Sequence, residues 1–81
     1  MKKKLSHKNA IYLDSEALKM INYSEDDCIL EAKFNNDRTY WYKSVPKKIW
    51  QEFLTVIHAD LSAGAFLNKK IKPYYDWDEI S

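Results

Sequence analysis

The chain has 81 residues, 46% of them hydrophobic and 31% charged, with a formal net charge of +1. That size allows one globular domain and no second. No apolar run approaches the ~18–20 residues of a membrane span. The lysine-rich start lacks the apolar stretch of a signal peptide, and Cys28, alone, cannot close an internal disulfide. Collagen, coiled-coil, zinc-ribbon, disulfide-scaffold and membrane classes are thereby excluded, and a reducing cytoplasm is the expected compartment.

The charge is segregated. Residues 1–24 balance to +3, residues 25–42 to −3, residues 43–72 to +4 and the remainder to −3. Twelve of the thirteen basic residues are lysine. Lysine is a point charge suited to phosphate and poor at planar reading of base edges, so any nucleic-acid role is expected to be directed at shape or backbone.

Residues 1–14 form a basic arm ending in the short apolar run Ala10-Ile11-Tyr12-Leu13. Leu18, Met20, Ile21 and Tyr23 predict a first strand whose alternation is imperfect. Ser24-Glu25-Asp26-Asp27 is turn chemistry. From Cys28 to Phe34, Leu30, Ala32 and Phe34 alternate with Glu31 and Lys33, a half-buried strand. A third strand follows over residues 38–43. Bringing Tyr40 and Tyr42 to the face of Phe34 requires Phe34 to pair with Arg38, leaving Asp37 in the left-handed position of a bulged hairpin. Val45-Pro46 then opens a helix, with proline expected at its first position. Ile49, Trp50, Phe53, Leu54 and Ile57 make its apolar stripe. Ser62-Ala63-Gly64 leads into a second helix carrying Phe66, Leu67 and Ile71, which Pro73 stops. Residues 75–81 are an acidic, aromatic tail. The expected fold class is α+β, a three-stranded antiparallel β-meander packed against two C-terminal helices, with the domain proper at residues 15–74.

Ser15, Leu18, Ile21, Tyr23, Leu30-x-Ala32-x-Phe34, Tyr40-Trp41-Tyr42, Val45-Pro46, Ser62-x-Gly64-x-Phe66-x-Asn68, Ile71 and Tyr74 occur in this order. This string resembles the KTSC domain family, named for its occurrence at the carboxy terminus of some lysyl-tRNA synthetases and found also as a stand-alone bacterial or phage protein. The resemblance implies no enzymatic activity and suggests RNA binding. The chain departs from the family pattern at Asp37, where members usually carry glycine, and at Ala63, where many carry a basic residue.

Several residues are candidates for a site. Tyr40, Trp41 and Tyr42 could stack bases. The alternative places the tyrosines under the helix and Trp41 over the opposite sheet face, and of the three Trp41 is the stronger functional candidate. Lys43, Lys47 and Lys48 surround the start of the first helix, and Lys69, Lys70 and Lys72 the end of the second. Antiparallel helices would bring these ends together into a phosphate-attracting patch. A solvated lysine surface is the plain alternative. Ser62 and Gly64 offer either an anion site or simple capping with a close helix approach, and Asn68 is placed to brace that loop. His7 and His58 have no second His or Cys at ligand spacing, so no metal is expected, and neither is a cofactor. Cys28 reads as a small core residue rather than a nucleophile. The tail could neutralise the lysines, bind a basic partner, or pack Trp77 on its own domain.

The sequence therefore predicts a non-enzymatic binding module for RNA or a nucleotide ligand, acting through the lysine patch and aromatic stacking. A protein-interaction module is the competing reading, such as a phage or mobile-element inhibitor of a host protein or a sponge for a nucleotide signal. Self-association into a homo-oligomer is consistent with so small a core. A membrane partner is not expected.

Overall fold

The computed structural model describes residues 5–80. Five strands run in spatial order identical to chain order: β1 (Ile11–Tyr12), β2 (Leu18–Ser24), β3 (Ile29–Phe34), β4 (Thr39–Tyr42) and β5 (Trp77–Glu79). All neighbours are antiparallel. The three expected strands are the middle of this sheet, so three strands understates it. The missing two come from the ends of the chain. Ile11–Tyr12 pairs with β2, and the acidic tail pairs with β4.

The imperfect alternation in β2 has a physical origin. The register slips between Leu18 and Met20, since Leu18 opposes Phe34 whereas Met20 opposes Lys33. A bulge adds one unpaired residue to a strand, so Leu18 and Ile21, three positions apart, both reach the core and are fully buried. The β3–β4 hairpin follows the expected pairing. Phe34 N–H donates to Arg38 O at 2.9 Å, and Asp37 sits at φ 66°, in the left-handed region.

Helix α1 spans Lys47–His58, with Pro46 as its cap rather than its first residue. Pro46 keeps an extended ψ of 152°, and its carbonyl accepts from Ile49 N–H at 2.9 Å. Helix α2 (Ala63–Phe66) continues without a break into a wider π-turn, Leu67–Ile71, closed by Lys72 N–H donating to Leu67 O at 2.9 Å. One face of the sheet and both helices enclose the core of Leu18, Ile21, Tyr23, Leu30, Tyr42, Phe53, Leu67 and Ile71. Tyr23 stacks on Trp50, with centroids 5.6 Å apart, and donates its hydroxyl hydrogen to Val45 O at 2.6 Å. That bond fixes the entry to α1 against the sheet.

The opposite sheet face has its own cover. Asn22, Glu31, Trp41 and Asp78 lie in one row across β2 to β5. Glu31 is only 6% exposed. Its carboxylate receives Trp41 Nε1–H at 2.8 Å and Asn22 Nδ2–H at 3.4 Å, and His7 Nε2 sits 2.8 Å from it. Asn22 Nδ2 also donates to Ser6 O at 3.0 Å, and Leu5 is buried. The described part of the basic arm thus lies across this face. Burying a carboxylate is costly unless donors surround it, and this row supplies them.

Candidate ligand cleft

Where β4 meets β5 and the end of the π-turn, a cleft of about 360 Å³ opens on the helix side of the sheet. Phe34, Asn36, Tyr40, Tyr42, Lys72 and Trp77 line it. Antiparallel pairing explains the grouping. Directly opposed residues project to the same face, and the pairs Ala32–Tyr40 and Tyr42–Trp77 put Tyr40, Tyr42 and Trp77 on one side. The Tyr40 ring stands edge-on to Phe34 (5.5 Å, 82°) and to Trp77 (5.2 Å, 84°). Trp77 remains 52% exposed, so much of its ring is open to solvent.

Lys72 enters from the end of the π-turn, its Nζ 5.6 Å from the Phe34 ring centroid. Among the described residues it has no carboxylate partner. An ammonium over an aromatic face gains about 0.5–1 kcal/mol at exposed sites, which holds the charge at the cleft without neutralising it. Asn36 Oδ1 accepts from Arg38 N–H at 3.1 Å. The opposite amide orientation would set two donors against each other, so the amide's free group is its NH₂. Burial, and then Tyr40, push the Tyr42 phenol up to about 12, keeping it neutral. Arg38 is held above its ordinary value first by the Tyr40 hydroxyl and then by Glu79.

The remaining candidate residues are distributed around the molecule. Lys43 borders an adjoining hollow that shares Lys72 and Trp77 with the cleft, and its ammonium is 3.2 Å from Asp78. Lys47 pairs with Glu25 at 2.7 Å, which lowers the Glu25 pKa. Lys48 is exposed near the start of α1. Lys69 and Lys70 instead flank a shallow apolar depression with Val56, Leu61, Ala65 and Phe66, beside the far end of α1. Ser62 caps α2, accepting from Ala65 N–H at 3.1 Å. At Gly64 an added Cβ would lie 3.7 Å from the Ala17 Cβ, ordinary contact, so no close approach demands glycine there. Asn68 is exposed and, among the described residues, has no hydrogen-bond partner, so it braces nothing. Cys28 is exposed at φ 55°, not a core residue.

Tyr40, Tyr42 and Lys72 are therefore brought together with Lys43 alongside. Trp41 lies on the other face with its N–H committed to Glu31. Phe34, Asn36 and Trp77 complete the cleft without having been singled out from the sequence. The signal for Trp77 was present: Tyr75 and Trp77 alternate with Asp76 and Asp78, the period of a strand.

The architecture defines a small α+β domain, a meander sheet backed by two helices on one face. Residues 14–75 match the family model described as the KTSC domain, and the chain belongs to that family. Among solved structures it is similar to a KTSC domain protein of Yersinia pestis, at 28% identity and a TM-score of 0.78, over 89% of this chain and 96% of that one. No curated protein matches it. Among the described residues, no helix is long and apolar enough to cross a membrane.

Proposed function

We propose that this protein is a non-enzymatic binding module for RNA or another phosphate-bearing ligand, and that the Phe34–Tyr40–Trp77 cleft is where the ligand seats. The observation that carries this reading is the Lys72 ammonium, unpaired among the described residues and held over an aromatic wall. A flat base stacks on an open ring for about 1–3 kcal/mol, and a phosphate takes the charge-assisted bond that Lys72 offers. The six lysines do not act as one patch in this reading, because Lys43 and Lys47 are each engaged by a carboxylate.

The test is fluorescence anisotropy with a labelled single-stranded RNA at low and moderate salt. Wild-type protein is expected to bind saturably, and K72E to lose the binding. Equal traces for wild type and K72E would remove the cleft from consideration.

One observation favours a protein partner instead. Leu61 is 63% exposed at the edge of the depression flanked by Lys69 and Lys70. Such a surface suits an acidic, apolar peptide or a second copy of the chain. Light scattering across a concentration series, on wild type and L61E, tests the second-copy form: a dimer lost in L61E supports it and a monomer throughout rejects it.

A further inference from the structure

The charges around the cleft limit what it can hold. Arg38, Lys43 and Lys72 face Asp76, Asp78 and Glu79 across the same end of the sheet. Lys43 is taken by Asp78 at 3.2 Å, and Arg38 lies 3.8 Å from Glu79. Three cations and three carboxylates leave no net positive field there, and Lys72 is the cation left over for a ligand. A running phosphate backbone needs a basic track and would meet the carboxylates of β5 on leaving the cleft. A single phosphate needs only Lys72.

Size gives the same answer. A volume of about 360 Å³ is at the lower end of small-molecule sites. The polar groups left free, the Asn36 NH₂ and the Lys72 ammonium, are both donors, so the ligand must bring acceptors. A flat ring carrying carbonyl or ring-nitrogen acceptors, joined to one phosphate, supplies the complement to each wall.

We infer that the cleft takes a single nucleotide unit, a nucleoside monophosphate or the terminal nucleotide of a chain, with its base against Trp77 and its phosphate on Lys72, and does not track a polymer. The inference rests on the reading above and narrows its ligand class.

The experiment uses the full chain and the probes uridine, ribose 5-phosphate, UMP, AMP and decameric oligo(U), titrated by calorimetry at several salt concentrations. UMP or AMP is expected to bind within a few-fold of the decamer. For both, log affinity should fall against log salt with a slope of about 0.7, the value for one phosphate contact on a single strand. Uridine and ribose 5-phosphate, each lacking one half of the complement, should bind about tenfold or more weakly. K72Q should reduce UMP to the level of uridine, and W77L to that of ribose 5-phosphate. Both positions are exposed, and circular dichroism verifies that each variant is folded.

An affinity that climbs more than about tenfold from UMP to the decamer, with a slope corresponding to three or more contacts, overturns the single-nucleotide inference. In that case the phosphate-ligand reading stands if K72Q still weakens the decamer. Absence of binding by every probe overturns both.

Discussion

Four residues, Cys28, Asp37, Ser44 and Asp60, have φ between 55° and 66°, and none is glycine. The chain's one glycine, Gly64, has an ordinary backbone and room for a side chain. An L-residue in the left-handed region carries a local cost of about 1 kcal/mol, while glycine in a helix forfeits roughly 0.5–1 kcal/mol against alanine. Backbone freedom is thus absent where it would help and present where packing does not call for it. Gly64→Ala is accordingly expected to leave stability unchanged or raise it by up to about 1 kcal/mol, read as the urea midpoint. A loss above that size would mean that Gly64 meets a constraint other than space or φ. At Asp37, where related sequences carry glycine, the Lys19 ammonium 2.8 Å away offsets part of the backbone cost.

The elements differ in how openly the sequence declares them. Strands β3 and β4 alternate strictly and are joined by a hairpin whose loop length dictates its register, so local information was sufficient. Helix α1 was legible from five apolar residues on one stripe. Strands β1 and β5, of two and three residues, hold too few positions for a period to emerge, and each becomes a strand because a longer neighbour offers a free edge. The site inherits this division. Tyr40, Tyr42 and Lys72 could be named, whereas Phe34 and Asn36 were not separable from ordinary hairpin residues, and Trp77 joins them only through the pairing of Tyr42 with Trp77. Trp41 illustrates the opposite error. Its side chain completes the donors of a buried carboxylate on the far face, so Trp41→Phe should cost about 1–3 kcal/mol in urea denaturation and leave ligand affinity at the cleft unchanged. A stability loss below about 0.5 kcal/mol would show that Glu31 finds another donor.

For the whole molecule, the two most buried phenols link the sheet to the helices and set a pH limit. Burial, followed by Cys28 and Glu25, pushes Tyr23 up to about 12, and burial likewise raises Tyr42 to about 12. Unfolded tyrosine releases its proton near 10. Between these values the unfolded state holds fewer protons than the folded one. The stabilisation is therefore complete below pH 10 and is lost progressively as pH rises toward 12. Urea midpoints should be flat between pH 8 and 9.5 and fall steeply above 10. Tyr23→Phe should start lower, for want of the Val45 hydrogen bond, and decline less steeply. A wild-type midpoint constant up to pH 11 would contradict this account.

The π-turn at Leu67–Ile71 sets the direction in which Lys72 leaves the helix. A helix advances about 100° per residue, so counting, not chemistry, aims that cation. Deletion of one lysine from the turn would let the segment rewind into a regular α-helix and carry the next ammonium roughly a quarter-turn away from Phe34. Substitution at an exposed position grades an interaction up or down, whereas a change in length there moves the charge as a unit. In a lineage of such domains, a three-nucleotide insertion or deletion at this turn is the mutation that could gain or abolish the cleft's cation in one event while the residues up to Leu67 keep their places in the core.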